Sequence, residues 1–132
     1  MLKKTVTYTD FDGNVRTEDF FFNLTEQEIA EMELSTEGGL GNFINKAVAA
    51  KSQVELIELF KKLILAAYGV KSADGRRFVK NDAVREDFMS TQAFSDIYMD
   101  LVQDADKASE FFNGIVPKEK PVKNVIPMQT NQ

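Results

Sequence analysis

Thr17-Glu18-Asp19-Phe20-Phe21-Phe22-Asn23-Leu24-Thr25-Glu26-Gln27-Glu28 is the stretch on which the fold turns, because its hydrophobic period changes partway along. Up to Phe22 the residues suit a strand, and from Leu24 they suit a helix. Thr25 to Glu28 forms a capping box: the Thr25 hydroxyl accepts from the Glu28 amide while the Glu28 carboxylate reaches back. Leu24 and Ile29 stand at the staple positions around it. A helix therefore starts here and runs to about Leu34. Three consecutive phenylalanines in a strand cannot all face one side. Strand register decides whether Phe20 and Phe22 or Phe21 face inward, and at least one of the three must meet a helix, a partner or water.

Upstream, Leu2, Val6 and Tyr8 alternate with Thr5, Thr7 and Thr9, the period of a strand. Asp10-Phe11-Asp12-Gly13-Asn14 is a turn in which Gly13 supplies the left-handed residue, and Val15 to Phe22 returns. A lone hairpin is marginal in water, so this one is expected to lie against helices or pair with another chain. The acids of the turn invite a calcium reading. An EF-hand loop needs glycine at position six and a bidentate acid at position twelve. Here the glycine comes fourth and Phe21 stands at the twelfth place, so turn chemistry is the better account.

Downstream, Gly38-Gly39-Leu40-Gly41 matches neither phosphate-loop pattern and reads as an interhelical joint. Leu40, Phe43, Ile44, Ala47 and Val48 mark a helix. Ser52-Gln53-Val54-Glu55 is a second capping box. It opens the most apolar helix, expected to be central and to end with Gly69 as its C′ residue. Lys71 to Lys80 reads as a polar loop around Asp74-Gly75. Asn81 or Asp82, Ser90 or Thr91, and Asp104 cap three more helices, the last closed by Gly114. After Gly114 no amphipathic period survives. The fold class is mainly α (α+β): an N-terminal β-hairpin packed on a bundle of about five to six short helices. Residues 1–114 form a single domain and 115–132 a flexible tail, which still carries Val125, Ile126 and Met128.

The 132 residues are 43% hydrophobic and 28% charged, the balance of a globular chain. There is no cysteine and no histidine, which removes thiolate chemistry, disulfides and the usual neutral-pH base. Sixteen basic against twenty-one acidic residues give a net charge of −5, the wrong sign for a general nucleic-acid binder. The longest apolar run, Leu63 to Tyr68, is far short of the ~20 residues that cross a bilayer. No catalytic constellation, metal-ligand set or cofactor motif stands out, so a binding module is favoured over an enzyme. Arg76, Arg77 and Phe78 beyond the Asp74-Gly75 turn are the residue types enriched at interaction hot spots. Their bland reading is a solvated loop anchored by Phe78.

Two long stretches resemble the tail assembly chaperones of long, non-contractile-tailed bacteriophages, over most of residues 1–117. One is Lys3-Lys4-Thr5-Val6-Thr7-Tyr8-Thr9-Asp10-Phe11-Asp12-Gly13 followed by Thr17 to Leu24. The other is Leu65-Ala66-Ala67-Tyr68-Gly69-Val70-Lys71-Ser72-Ala73-Asp74-Gly75-Arg76-Arg77-Phe78, with Phe94 to Met99 and Phe111 to Pro117. The resemblance implies a non-enzymatic protein of the host cytoplasm, not retained in the mature virion. Such a protein holds the helical, aggregation-prone tape measure protein soluble while tail tube subunits polymerise around it. It also implies a longer frameshifted form, joined in the tail. The tail tube protein and a second copy of the chain are further candidate partners. Candidate contact residues are Phe20, Phe21, Phe22, Arg76, Arg77, Phe78, Val125, Ile126 and Met128. A structural virion protein (head–tail joining or tail completion) is the alternative, and a small carboxylate-dependent hydrolase a remote one.

Overall fold

The computed structural model describes residues 1–35 and 53–117. Strands β1 (Leu2–Thr9) and β2 (Val15–Phe22) form the expected hairpin, in a register that pairs Leu2 with Phe22 and Thr9 with Val15. Asp10 N donates to Asn14 O at 2.8 Å, and Gly13 takes φ +86°, so the loop is the short turn read from the sequence. The Asp10 carboxylate accepts from the Asp12 and Asn14 amides and from Arg16 Nε at 2.7 Å. Those bonds, led by the one from Arg16, hold its carboxyl below the ordinary aspartate value. The acids of this turn close a hairpin.

The register turns Leu2, Val6, Tyr8, Phe20 and Phe22 to the helices, and Thr5, Thr7, Thr17, Asp19 and Phe21 to the other face. On that outer face the Thr5 hydroxyl donates to Asp19 and the Thr7 and Thr17 hydroxyls bond each other.

Five helices follow among the described residues: α1 (Glu26–Ser35), α2 (Gln53–Ala67), α3 (Asp82–Met89), α4 (Gln92–Gln103) and α5 (Ala105–Ile115). Each cap read on described residues is made. Glu28 N reaches Thr25 Oγ1 while Thr25 N reaches Glu28 Oε1. Asn81 accepts from Val84 N, Thr91 from Phe94 N, and Asp104 from Asp106 and Lys107 N. The helix read at Leu40–Val48, the Gly38–Gly41 joint, the Ser52 cap and most of the tail lie outside the described residues.

Three expectations need correction. The segment after α2 is a second hairpin rather than a loop: β3 (Tyr68–Lys71) pairs with Phe21 and Phe22 of β2, and β4 (Phe78–Val79) pairs with β3. The sheet is thus four-stranded, ordered β1-β2-β3-β4. Gly69 lies inside β3, not in a left-handed C′ position, and α2 runs straight into the strand. Its last carbonyls are instead satisfied from elsewhere: Leu65 O by Arg85 Nε, Ala66 O by Lys80 Nζ and Ala67 O by Asn23 N. Gly114 does not close the last helix, which continues to the fully buried Ile115. A Cβ at Gly114 would stand 2.9 Å from Leu2, so this glycine lets α5 approach the hairpin.

The core is a cluster of rings. Phe88 stacks on Tyr68 with centroids 4.0 Å apart and meets Phe20, Phe22 and Phe94 at 5.2–5.9 Å. Phe22 also meets Phe111 edge-on. The hub among the described helices is α4, which touches β1, α2, α3 and α5. Among the described side chains of α2, Ile57 is exposed and Leu63, Ile64 and Ala67 are deeply buried.

Candidate functional site

The end of the sheet where β2, β3 and β4 meet gathers residues that lie far apart in the chain. Phe21 is opposite Lys3 on one side and Gly69 on the other, so all three share the outer face. Lys71, two residues beyond Gly69, lays its ammonium 4.2 Å from the centre of the Phe21 ring. Phe78 pairs with Lys71 and covers Gly69, whose missing Cβ leaves room for the ring. Both rings are half-buried, so each offers an edge to solvent.

The turn from β3 to β4 is held by its own bonds. Ser72 N donates to Arg77 O, Gly75 N to Ser72 O, and Gly75 takes φ +74°. Asp74 accepts from the Ser72 hydroxyl and the Arg76 amide, and these hold its carboxyl below the usual range. The Arg76 guanidinium stands 3.8 Å from Asp74, while Arg77 has no ion-pair partner among the described residues. Between β2 and this hairpin lies a notch of about 520 Å³, bordered by Asp19, Phe21, Gly69, Lys71 and Ala73. Its walls mix a carboxylate, a lysine and an aromatic edge, a surface for recognising a mixed polar and apolar segment. Among the described residues no three acidic side chains converge to hold a metal ion, and no helix is long and apolar enough to cross a membrane.

Of the residues singled out from the sequence, Phe21 and Phe78 come together here through Lys71, while Arg76 and Arg77 lie in the turn before β4, away from the residues that border the notch. Phe20 and Phe22 are taken by the core, at 8% and 0% exposure, because the register turns them toward Phe88. Val125, Ile126 and Met128 lie outside the described residues. Lys71 and Gly69 were missed as site residues. The signal that finds them is the Asp74-Gly75 dipeptide read as a hairpin turn, which folds Lys71 and Phe78 into cross-strand neighbours.

The close fit at Gly69 gives a test. Gly69→Ala would place its Cβ 2.7 Å from Phe78 Cε2. The substitution is expected to destabilise by about 1–3 kcal/mol through overpacking, read as a lowered Tm. Combined with Phe78→Ala, it should cost less than the sum of the two single changes, because the clash is gone. Strict additivity would show that the ring does not rest on that glycine.

Searches of characterised proteins and of solved structures each found no match to the chain. The family model for phage tail assembly chaperones matches residues 1–124, which spans the hairpin, every described helix and the aromatic end of the sheet. The chain belongs to the phage tail assembly chaperone family.

Proposed function

We propose that this chaperone binds the phage tape measure protein on the outer face of its sheet and keeps it soluble while the tail tube assembles. The observation that carries the reading is the pairing of two partly exposed rings, Phe21 and Phe78, with Lys3 and Lys71 on one face, beside a turn that carries Arg76 and Arg77, on a chain of net charge −5. Apolar edges ringed by cations suit the apolar stripe of an amphipathic helix flanked by carboxylates. The rest of the acidic surface keeps the complex dispersed. The role is non-enzymatic: the chain covers a surface and makes or breaks no bond. It acts in the host cytoplasm and leaves before the virion is complete, so mass spectrometry of purified particles should not detect it. Contact with tail tube subunits during hand-over belongs to the same reading.

Co-expression with a tape measure fragment is the direct experiment. The wild-type chain should shift the fragment into the soluble fraction and co-purify with it. Phe21→Ala combined with Lys71→Glu should weaken that association by roughly 30-fold or more, the scale of a hot-spot loss, with the Tm lowered by only a few degrees. Met99→Ala, an exposed apolar change on α4, should leave association intact. Equal co-purification by all three proteins would remove the sheet face from the proposal. A fragment left insoluble by the wild type would remove the tape measure protein itself.

A further inference from the structure

Strands β2 and β3 are paired at one end and apart at the other. The ladder runs from the Asn23–Ala67 bond through Phe22–Tyr68 to Phe21–Gly69 and stops there, although β3 goes on to Lys71. Beyond that rung the two strands border the notch of about 520 Å³ instead of each other. The Asp10–Asn14 bond sets the alternation: even-numbered residues of β2 bond to β1, and odd-numbered residues turn the other way. The N–H and C=O of Asp19 therefore face the notch from one side. Those of Lys71 face it from the other, because the neighbouring Ser72 turns toward β4 and bonds to Arg77. No described residue pairs with either. Val70 shares the core-side face with Tyr68 yet is 46% exposed, because the strands part before Phe20 comes opposite it.

We infer that the β3–β4 hairpin is a flap that zips onto β2 and closes this notch, so that the docking face has an open form, seen here, and a closed one. The inference rests on the reading of that face given above. Continuing the register of Phe21–Gly69 sets Val70 opposite Phe20 and Lys71 opposite Asp19, and both pairs match. Phe20–Val70 is a non-hydrogen-bonded site, where side chains come closest, so closure covers the exposed valine with a ring. Asp19–Lys71 is a hydrogen-bonded site. There the two residues exchange both of their backbone bonds and bring opposite charges together on the outer face. A slip by two residues would set Val70 against Glu18 and Lys71 against Thr17, losing both matches. The hairpin can move as a unit, because its turn is held by the Ser72–Arg77 and Gly75–Ser72 bonds and its ladder to β2 is short. Gly69, the last paired residue, is the pivot. Closure fills the space beside Phe21 that a partner's side chain would enter, so the open form is the one that binds.

Disulfide trapping in the full chain, which has no cysteine of its own, is the test. Asp19→Cys/Lys71→Cys should form an intramolecular disulfide on mild oxidation, since opposed residues at a hydrogen-bonded site stand about 5.5 Å apart at Cα, within disulfide range. Thr17→Cys/Lys71→Cys, two residues off register, should oxidise about tenfold or more slowly. Adding Val70→Asp to the first pair should slow its trapping by about tenfold or more, because closure would press a carboxylate against Phe20. Association with the tape measure fragment then reads the consequence. Oxidised Asp19→Cys/Lys71→Cys should bind it about tenfold or more weakly than the same protein reduced, and Val70→Asp alone should bind at least as well as the wild type. Equal trapping of the off-register pair, or trapping indifferent to Val70→Asp, would overturn the flap. Equal binding by oxidised and reduced protein, or weaker binding by Val70→Asp, would overturn its control of docking. A wild type that ignores the fragment counts against the tape measure reading alone, and the trapping rates still decide the flap.

Discussion

Phe88→Ala is expected to lower stability by about 3–5 kcal/mol, a shift of roughly 10–18 °C in Tm for a chain of this length. Phe88 belongs to the eight-residue helix α3, whose caps and propensities add little by themselves. Its ring is 1% exposed and lies among Phe20, Phe22, Tyr68 and Phe94. Truncation would open a void between the sheet and three helices that neighbouring rings cannot fill without leaving their own contacts. Phe21→Ala is the informative comparison, because its ring faces outward and meets Lys71. It should cost about 1 kcal/mol, since a half-exposed ring loses little transfer free energy and one cation–π contact. Denaturant or thermal melts of the two variants read the difference directly. Equal losses would mean that Phe21 is a core residue and that the outer face is no docking surface.

Much of the fold is legible in short-range signals. The change of period at Phe22-Asn23-Leu24, the capping box at Thr25–Glu28 and the caps at Asn81, Thr91 and Asp104 all depend on groups within four residues of one another. The structure forms them as read. The division of Phe20, Phe21 and Phe22 between two faces was also foreseeable, although which face takes which ring depends on a turn length that local sequence leaves open. Strands β3 and β4 were not legible, for a physical reason. Gly69 after a long apolar helix is locally a C′ residue, and only pairing with Phe21, nearly fifty positions upstream, makes it a strand residue. The end of α2 is likewise set by Lys80, Arg85 and Asn23, which reach its carbonyls from other elements. The candidate site inherits that difficulty, because it exists only where β2, β3 and β4 meet.

Lys80→Met should be the other large loss, at about 2–3 kcal/mol. Lys80 Nζ donates to Glu28 Oε2 at 2.7 Å, to Asn23 O at 2.6 Å and to Ala66 O at 3.0 Å. One ammonium thus ties together the end of the first hairpin, the start of α1 and the end of α2, directly after β4. Its side chain is 10% exposed and that of Glu28 30%. Removing one partner of a buried pair strands the other charge, at 3–5 kcal/mol when burial is complete, and the exposure of Glu28 reduces that figure. Adding Glu28→Gln to Lys80→Met should recover part of the loss, because no charge is then left behind. The pH dependence separates this account from simple loss of packing. Burial pushes the Glu28 carboxyl up, but the bonds from Lys80 and Thr25 outweigh it and hold the group below its ordinary value of 4.5. For Lys80 burial acts first, lowering its affinity for the proton, with the Glu28 carboxylate working against it. Across the acid window the unfolded Glu28 binds more protons than the folded one, so this contribution is complete above the ordinary value and fades as pH falls through the lower folded value. In Lys80→Met the main group holding the carboxyl down is gone while its burial remains, so that contribution is weakened or reversed. The Tm gap between wild type and variant should accordingly narrow from neutral pH toward the acid end of the carboxylate range. A gap that stays constant would assign Lys80 to packing of its alkyl chain and not to the charge that joins the three elements.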